Sequence, residues 1–466
     1  MTVAPDWKCL APESTQLAES FEDRELALYP EDYSLLTDLY QLTMTACYVG
    51  KGLDRTRASF ELFVRQLPEG FGYLIAMGLE QALDYLAKLR FSSAQIDALR
   101  RTGIFQHAPD EFWSLLAESS FTGDVWAVPE GTAVFANEPL LRVEAPLWQG
   151  QIVETYLLNT LNYQSLIATR AARIRDIAGS EATLLEFGTR RAFSPQGALW
   201  AARSALAAGF DGTSNVLAAL KLGQKPSGTM AHALVMAVTA TSGSEEEAFQ
   251  AFHEYFPGAP LLIDTYDTVA AAEKLLERIN AGEMQLSGVR LDSGDLVSLS
   301  QKVRSLLPGV SILASGDLDE WEIAKLKAAG ACIDGYGLGT KLVTGVPVGG
   351  VYKLVEIDGI PTMKQSSNKV TYPGRKQIFR CWEKGEIYAD RLGLMSESLA
   401  GETGLLELFL QQGKRVKSPA SLAEIRDRTS NSVASLPTAT RQLNKPQQLP
   451  VEISPALQEL TEKTKR

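Results

Sequence analysis

Between about residues 180 and 345, an apolar stretch with strand character runs seven times into a polar turn rich in glycine or aspartate. Each turn precedes apolar residues at helical spacing, such as Val269, Ala272, Leu275 and Ile279 after the fourth turn. A strand, a turn and a helix repeated in series predict an α/β barrel, whose functional groups gather at the carboxyl ends of the strands. The turns occupy residues 186–191, 210–215, 228–232, 264–267, 290–295, 315–317 and 335–340.

The rest of the sequence predicts a second, mixed α/β domain that the barrel interrupts. A capped helix start near Thr37 or Asp38 and an alternating strand over 58–65 precede the barrel, a long helix over 152–174 leads into it, and strand-like sequence resumes after 349. We therefore expect a polar N-terminal arm (1–30), a first part of the mixed domain (31–165), a barrel catalytic domain (166–348), a second part of the mixed domain (349–437) and a polar, weakly ordered C-terminal tail (438–466).

The composition of the 466 residues narrows the function classes. A formal net charge of −11 argues against broad nucleic-acid binding, although a local group of arginines can still hold a small anion. No apolar run is long enough to span a bilayer, and the first residues lack the pattern of a secretory signal, so we expect a cytoplasmic protein without membrane contact. The four cysteines are far apart and indicate neither disulfides nor a structural zinc site.

Of the three histidines, His232 has the most informative position. It falls in the first turn of a predicted helix, where free backbone N–H groups and the helix dipole disfavour imidazolium and favour a bound anion. A neutral, nucleophilic histidine that accepts a phosphoryl group fits this position, and a histidine that only caps its helix is the alternative. His107 and His253 fit ordinary surface or hydrogen-bonded histidines.

The turn over 290–295 carries one cation and two carboxylates at a strand end. Arg290 can bind an anion, while Asp292 or Asp295 can hold ribose hydroxyls or a hydrated magnesium ion. The alternative is an Arg–Asp pair beside a plain helix cap. The glycine-rich turn over 335–340 predicts a phosphate site built from backbone amides.

Two further turns have both a functional and a structural interpretation. Phe187 can stack on a flat ring and Arg190 can reach its charged substituent, or the pair is a core phenylalanine beside a solvated arginine. Asp264 and Asp267 can serve a metal or cap the following helix, and capping is favoured slightly.

Taken together, these stretches closely resemble nicotinate phosphoribosyltransferase. The resemblance extends from 37 to 376, about three quarters of the chain, and leaves out the segment beyond about 415. The segments that carry it are 37–41, 186–191, 209–215, 228–232, 288–295, 337–340 and 349–355.

The resemblance implies an irregular α/β barrel of the type II phosphoribosyltransferase kind with a second mixed α/β domain. It also implies formation of nicotinate mononucleotide and pyrophosphate from nicotinate and phosphoribosyl pyrophosphate in NAD salvage. ATP hydrolysis would be coupled through a phosphohistidine, with Mg²⁺ as cofactor and no metal ligand assigned among the protein residues. A homodimer that shares its active sites is implied as well.

Residue by residue, the resemblance makes His232 the phosphorylated residue. It places Tyr40 (from the partner subunit), Thr229 and Arg290 at nicotinate, Phe187 and Arg190 in the stack on the pyridine ring, and Thr340 at the phosphoribosyl group. The expected catalytic residues are His232, Arg290 and Asp292, and Gly316 and Gly339 complete the substrate-binding set with Ser214.

Two other functions compete with this one. Nicotinamide-using relatives resemble the segment around Ser214 but have an aspartate there, which would repel a nicotinate carboxylate, so serine favours the acid. A catalytically silent, phosphate-binding barrel that acts as a sensor or scaffold would not need His232, Arg290 and Asp292 together.

Overall fold

A computed structural model describes residues 27–118, 120–365, 371–398 and 402–465. The strands are β1 (Arg57–Val64), β2 (Leu74–Ile75), β3 (Asp124–Ala127), β4 (Ala133–Val134), β5 (Pro139–Pro146), β6 (Thr183–Glu186), β7 (Gly212–Thr213), β8 (Leu261–Leu262), β9 (Gly288–Leu291), β10 (Ser311–Gly316), β11 (Gly335–Leu338), β12 (Gly350–Ile357), β13 (Ile360–Pro361), β14 (Lys376–Glu383), β15 (Glu386–Leu394), β16 (Thr403–Gly404), β17 (Glu407–Gln411), β18 (Lys414–Arg415) and β19 (Val451–Ile453).

The α-helices are α1 (Leu39–Gly50), α2 (Leu79–Lys88), α3 (Ser93–Arg101), α4 (Asp110–Ala117), α5 (Leu147–Ile152), α6 (Glu154–Ala178), α7 (Pro195–Ala207), α8 (Val216–Lys221), α9 (His232–Ser242), α10 (Glu245–Tyr255), α11 (Thr268–Asn280), α12 (Leu296–Leu306), α13 (Glu320–Ala328), α14 (Thr340–Val343), α15 (Leu422–Ala434), α16 (Thr438–Arg441) and α17 (Pro455–Thr464). Most of the predicted N-terminal arm lies outside the described residues. Within the described part of the chain, we find no helix that is long and apolar enough to cross a membrane.

The repeating segment forms a six-stranded parallel sheet in the order β7-β6-β11-β10-β9-β8. Its strands carry buried aliphatic residues, and aspartates that follow them cap the next helices. Asp267 accepts hydrogen bonds from the backbone N–H groups of Val269 and Ala270, and Asp295 caps α12 in the same way. Capping is therefore the observed role of Asp267, and the predicted α/β fold class is confirmed.

A seven-stranded sheet joins sequence from both sides of this region. Its order is β13-β12-β1-β5-β3-β17-β18, so β1 lies between β5, which precedes the parallel sheet in sequence, and β12, which follows it. The rings of Phe60 on β1 and Tyr352 on β12 stack at 5.1 Å in the core of this second domain. A four-stranded sheet, β16-β14-β15-β19, completes the domain.

The long helix α6 belongs to both regions. It contacts β2 and β12 of the mixed domain as well as α7, α13 and α14 of the repeating segment. The helix predicted over 152–174 is present, with a short helix, α5, directly before it. The predicted boundary between 165 and 166 falls inside α6, because one continuous buried helix serves two cores.

The expectation of weak order after 438 is wrong. Strand β19 pairs in parallel with β15, and Ser454 caps α17 through the backbone N–H of Leu457, which is fully buried. The polar composition concealed a short Val-Glu-Ile strand, which is stabilised by a sheet edge that only the folded protein provides.

Candidate active site

A polar cleft of about 280 Å³ opens where β6, β9, β10 and β11 end. This is the edge of the parallel sheet at which the sequence predicts functional groups. Six of the predicted site residues line it: Phe187, Arg190, Asp292, Gly316, Gly339 and Thr340. The other lining residues are Arg191, Ser315, Asp317 and Gly337.

Phe187 forms one wall of the cleft by lying against the backbone of the neighbouring strand. Its N–H donates to Leu338 O at 2.7 Å, and a Cβ at Gly337 would lie 2.5 Å from the Phe187 ring. Glycine at 337 therefore lets the ring approach the strand closely. Phe187 stays half-buried and Arg190 is exposed, so an aromatic face and a cation are available to a ligand.

Asp292 is held by the carboxyl end of β10. Ser315 Oγ donates to Asp292 Oδ1 at 2.5 Å. Gly316 has a φ of +112°, and a Cβ there would lie 2.7 Å from the carbonyl oxygen of Asp292. The glycine thus permits the end of β10 and the turn after β9 to approach each other.

Arg290 connects this cleft with the turn that contains His232. Its Nη1 donates to Thr229 Oγ1 at 2.7 Å. Burial lowers the pKa of Arg290, while Asp292 and Asp264 oppose the shift and Arg190 adds to it. Its buried Nε has no hydrogen-bond partner within the described residues.

His232 is the first residue of α9, and it therefore lies in the first turn of a helix, as the sequence predicts. Its Nδ1 lies 3.1 Å from Thr265 Oγ1, and its Nε2 lies 3.9 Å from Asp264 Oδ1. The imidazole thus contacts the 264–267 turn rather than capping its own helix. These two contacts orient the ring, and 39% of the side chain remains exposed.

Asp264 contacts both His232 and the turn that contains Asp292. Its Oδ2 accepts hydrogen bonds from the backbone N–H of Asp292 at 2.8 Å and from Ser293 Oγ at 2.7 Å. Its Oδ1 is buried and has no hydrogen-bond partner within the described residues. The sequence offered Asp264 as a metal ligand or a cap, and its position beside His232 was missed.

Ser214 and Tyr40 occupy different surroundings. Ser214 follows β7, donates its backbone N–H to Glu186 O at 2.9 Å and lies opposite Gly228, close to the Thr229 turn. Tyr40 lies on α1 in the mixed domain and is 47% exposed. Burial raises its pKa, and Glu154 and Asp38 add to the shift. The residues that line the cleft within this chain do not include Tyr40.

Several residues of the site were missed by the sequence analysis. Ser315, Arg191 and Asp317 line the cleft, and Thr265 contacts His232. Each of these residues lies within one of the seven predicted turns. Because functional groups gather at the carboxyl ends of the strands, every polar residue of these turns was a candidate. Within the described ranges, no group of three or more acidic, histidine or cysteine side chains forms a ready metal site.

The fold and the cleft define an α/β protein with anion-binding groups at the carboxyl ends of parallel strands. Three family models match the chain in order. They are the nicotinate phosphoribosyltransferase N-terminal domain (35–162), the nicotinate phosphoribosyltransferase family (182–312) and the nicotinate phosphoribosyltransferase C-terminal domain (401–461). The last match corrects the sequence analysis, which had left the segment beyond about 415 outside the resemblance.

Similar proteins agree with these models. Nicotinate phosphoribosyltransferase pncB2 of Mycobacterium tuberculosis is 41% identical, covering 88% of this chain and 89% of the relative. The Bacillus subtilis nicotinate phosphoribosyltransferase is 38% identical, covering 92% and 94%. The crystal structure of human nicotinic acid phosphoribosyltransferase superimposes with a TM-score of 0.80 at 31% identity, covering 92% of this chain and 99% of that one. The chain belongs to the nicotinate phosphoribosyltransferase family.

Proposed function

We propose that this protein forms nicotinate mononucleotide and pyrophosphate from nicotinate and phosphoribosyl pyrophosphate, within the salvage of NAD and in the cytoplasm. The observation that carries the proposal is the cleft itself. It places an aromatic wall (Phe187), cations (Arg190, Arg191) and a carboxylate (Asp292) within one small space at the strand ends. Family membership supports the choice of substrates.

The phosphoribosyl pyrophosphate would occupy the part of the cleft near Gly316, Gly339 and Thr340. Displacement at the ribosyl carbon develops positive charge there while pyrophosphate leaves, so catalysis requires positioning and neutralisation of the leaving group. Arg190 and Arg191 are exposed and available for this neutralisation. Ribose hydroxyls would bind Asp292.

Mg²⁺ fits this site as a substrate-bound ion. Magnesium is usually held by one or two carboxylates together with substrate phosphates and waters, and does not require a complete cage of protein ligands. Asp292 and Asp317 supply two carboxylates on the cleft wall. When bound, the ion would neutralise pyrophosphate charge.

Nicotinate would lie between Phe187 and the Arg290–Thr229 pair. Arg290 already donates to Thr229, and the positive charge of its guanidinium would attract the nicotinate carboxylate. Ser214 lies close to the turn that contains Thr229 and adds no negative charge. This suits nicotinate, which carries a carboxylate, better than nicotinamide. Tyr40 would reach the pyridine ring from the partner subunit of a homodimer.

ATP would act through His232. In the proposed step the imidazole attacks the γ-phosphorus, the bond to the bridging oxygen breaks and ADP leaves. Water later hydrolyses the phosphohistidine to inorganic phosphate. The ring can accept the phosphoryl group because 39% of its side chain is exposed, while Thr265 and Asp264 orient it.

The test is a direct assay of the purified protein. Nicotinate, phosphoribosyl pyrophosphate, ATP and Mg²⁺ are supplied, and nicotinate mononucleotide, pyrophosphate and ADP are quantified, with nicotinamide as the competing substrate. Formation of nicotinate mononucleotide, with much slower reaction of the amide, supports the proposal. Preference for nicotinamide, or absence of pyrophosphate release, would contradict it.

A further inference from the structure

Helix α6 supports the short helix α14 from outside the cleft. Tyr163 Oη on α6 donates to Val343 O at 3.0 Å. Arg170 Nη1, two turns further along α6, donates to both Lys341 O and Thr344 O. The last carbonyl groups of a helix lack partners within the helix, so these side chains supply the donors that α14 cannot provide internally.

The other end of α14 lines the cleft. Gly339 and Thr340, at the start of this single helical turn, are cleft residues. Leu342 and Val343 are fully buried, and α14 is a single turn of four residues that joins the cleft residues to its carbonyl end. The position of its carbonyl end therefore determines the position of Gly339 and Thr340.

The packing around Gly345 shows independently that the Arg170 guanidinium lies directly against the backbone that follows α14. A Cβ at Gly345 would lie 2.5 Å from Arg170 Nη2 and 2.7 Å from Arg170 Cζ. Only a residue without a side chain leaves room for Arg170 in its observed place. Gly345, which follows α14, and Arg170 on α6 are therefore matched although they are far apart in sequence.

We propose that Arg170 is a positioning residue for phosphoribosyl pyrophosphate, which acts without touching the substrate by holding α14 so that Gly339 and Thr340 face the cleft. This inference rests on the proposed function and extends it beyond the cleft residues. A planar guanidinium can serve two carbonyl groups at once, whereas a lysine ammonium on a flexible stem does not reproduce that geometry.

Arg304 offers a matched control. Its Nη1 also donates to two carbonyl groups, Pro308 O at 3.3 Å and Val310 O at 2.8 Å. These precede β10, at the amino ends of the strands and thus opposite the cleft. Loss of this contact should affect stability without affecting substrate binding.

The experiment compares the full-length wild type with Arg170→Lys, Gly345→Ala and Arg304→Lys. Equilibrium binding of phosphoribosyl pyrophosphate with Mg²⁺ is measured by calorimetry, the KM of each substrate by steady-state assay, and Tm by thermal unfolding. We expect Arg170→Lys to weaken phosphoribosyl pyrophosphate binding about 10- to 100-fold, the scale of a remote misplacement, and to leave the KM of nicotinate within about twofold. Arg304→Lys should lower Tm without changing either KM.

Gly345→Ala should also weaken phosphoribosyl pyrophosphate binding, because the added methyl group displaces the guanidinium and the φ of +152° at this position strains any residue with a side chain. Combining the two changes should then add little to either alone. Unchanged phosphoribosyl pyrophosphate binding in a folded Arg170→Lys protein would overturn the inference, as would an equal loss in Arg304→Lys. A wild type that forms no nicotinate mononucleotide would instead overturn the proposed function, and this inference with it.

Discussion

Asp264 Oδ1 lies 3.9 Å from Nε2 of His232. The same carboxylate accepts the backbone N–H of Asp292 through its other oxygen, at 2.8 Å. One buried aspartate therefore faces the histidine on one side and secures a wall of the cleft on the other. Through Asp264, a change in the charge of the His232 ring can therefore affect the position of the turn that contains Asp292.

Replacing His232 by asparagine should abolish both ATP-stimulated turnover and any acid-labile phosphoprotein. A slow, ATP-independent reaction should remain at high phosphoribosyl pyrophosphate, because the cleft residues are unchanged. Product formation with and without ATP, together with labelling from γ-labelled ATP, measures both effects. The exposed His107 supplies the control His107→Asn, and full ATP stimulation in His232→Asn would refute the phosphohistidine role.

Ser214→Asp should weaken the use of nicotinate. A second anion near the substrate carboxylate in a partly desolvated site costs on the order of 1–3 kcal/mol, or roughly tenfold to a hundredfold in kcat/KM. Ser214→Ala serves as the control because it removes the hydroxyl without adding charge. If the aspartate and alanine variants have the same nicotinate kinetics, Ser214 does not face the ring.

A shared active site predicts complementation between two inactive variants. Tyr40 lies on α1 and is half-exposed, away from the cleft of its own chain. Co-expressed Tyr40→Ala and Arg290→Ala subunits should regain activity, because a heterodimer contains one site in which both residues are intact. Tagged heterodimers are purified and assayed against each parent. Heterodimers as inactive as the parents would show that Tyr40 acts in its own chain or only in packing.

Glu245 should make stability depend on pH. Burial raises its pKa from the usual 4.5 to about 7; Lys274 opposes this shift, and Glu246 and Asp264 add to it. A carboxyl group whose pKa is higher in the folded state contributes stability that is fully present below its unfolded pKa and is lost as the pH rises through about 7.

Glu245→Gln should therefore raise stability at pH 8 relative to the wild type, by roughly 1 kcal/mol after allowance for solvent screening, and have less effect near pH 4.5. Thermal unfolding at the two pH values measures the difference. The exposed Glu247 on the same helix provides the control Glu247→Gln. An equal gain at both pH values would contradict this assignment.

The elements that follow from local rules were predictable from the sequence. Alternation, helical spacing and capping involve residues only a few positions apart, so the strands, the polar turns and the Asp267 cap could be inferred from the order of the amino acids alone. The position of His232 at a helix start follows from the same local signals. The order of the turns along the chain also carried the family resemblance.

The tertiary structure decided which of these turns meet. The strand order β7-β6-β11-β10-β9-β8 differs from the sequence order, and it brings the turns after β6 and β11 together although about 150 residues separate them. Pairings such as Asp264 with His232 and Arg170 with Gly345 depend on this packing and leave no local pattern in the sequence. The sequence by itself therefore determined the strands, turns and candidate residues, and only the three-dimensional packing decided their partners, because contacts between distant segments depend on how whole elements are arranged.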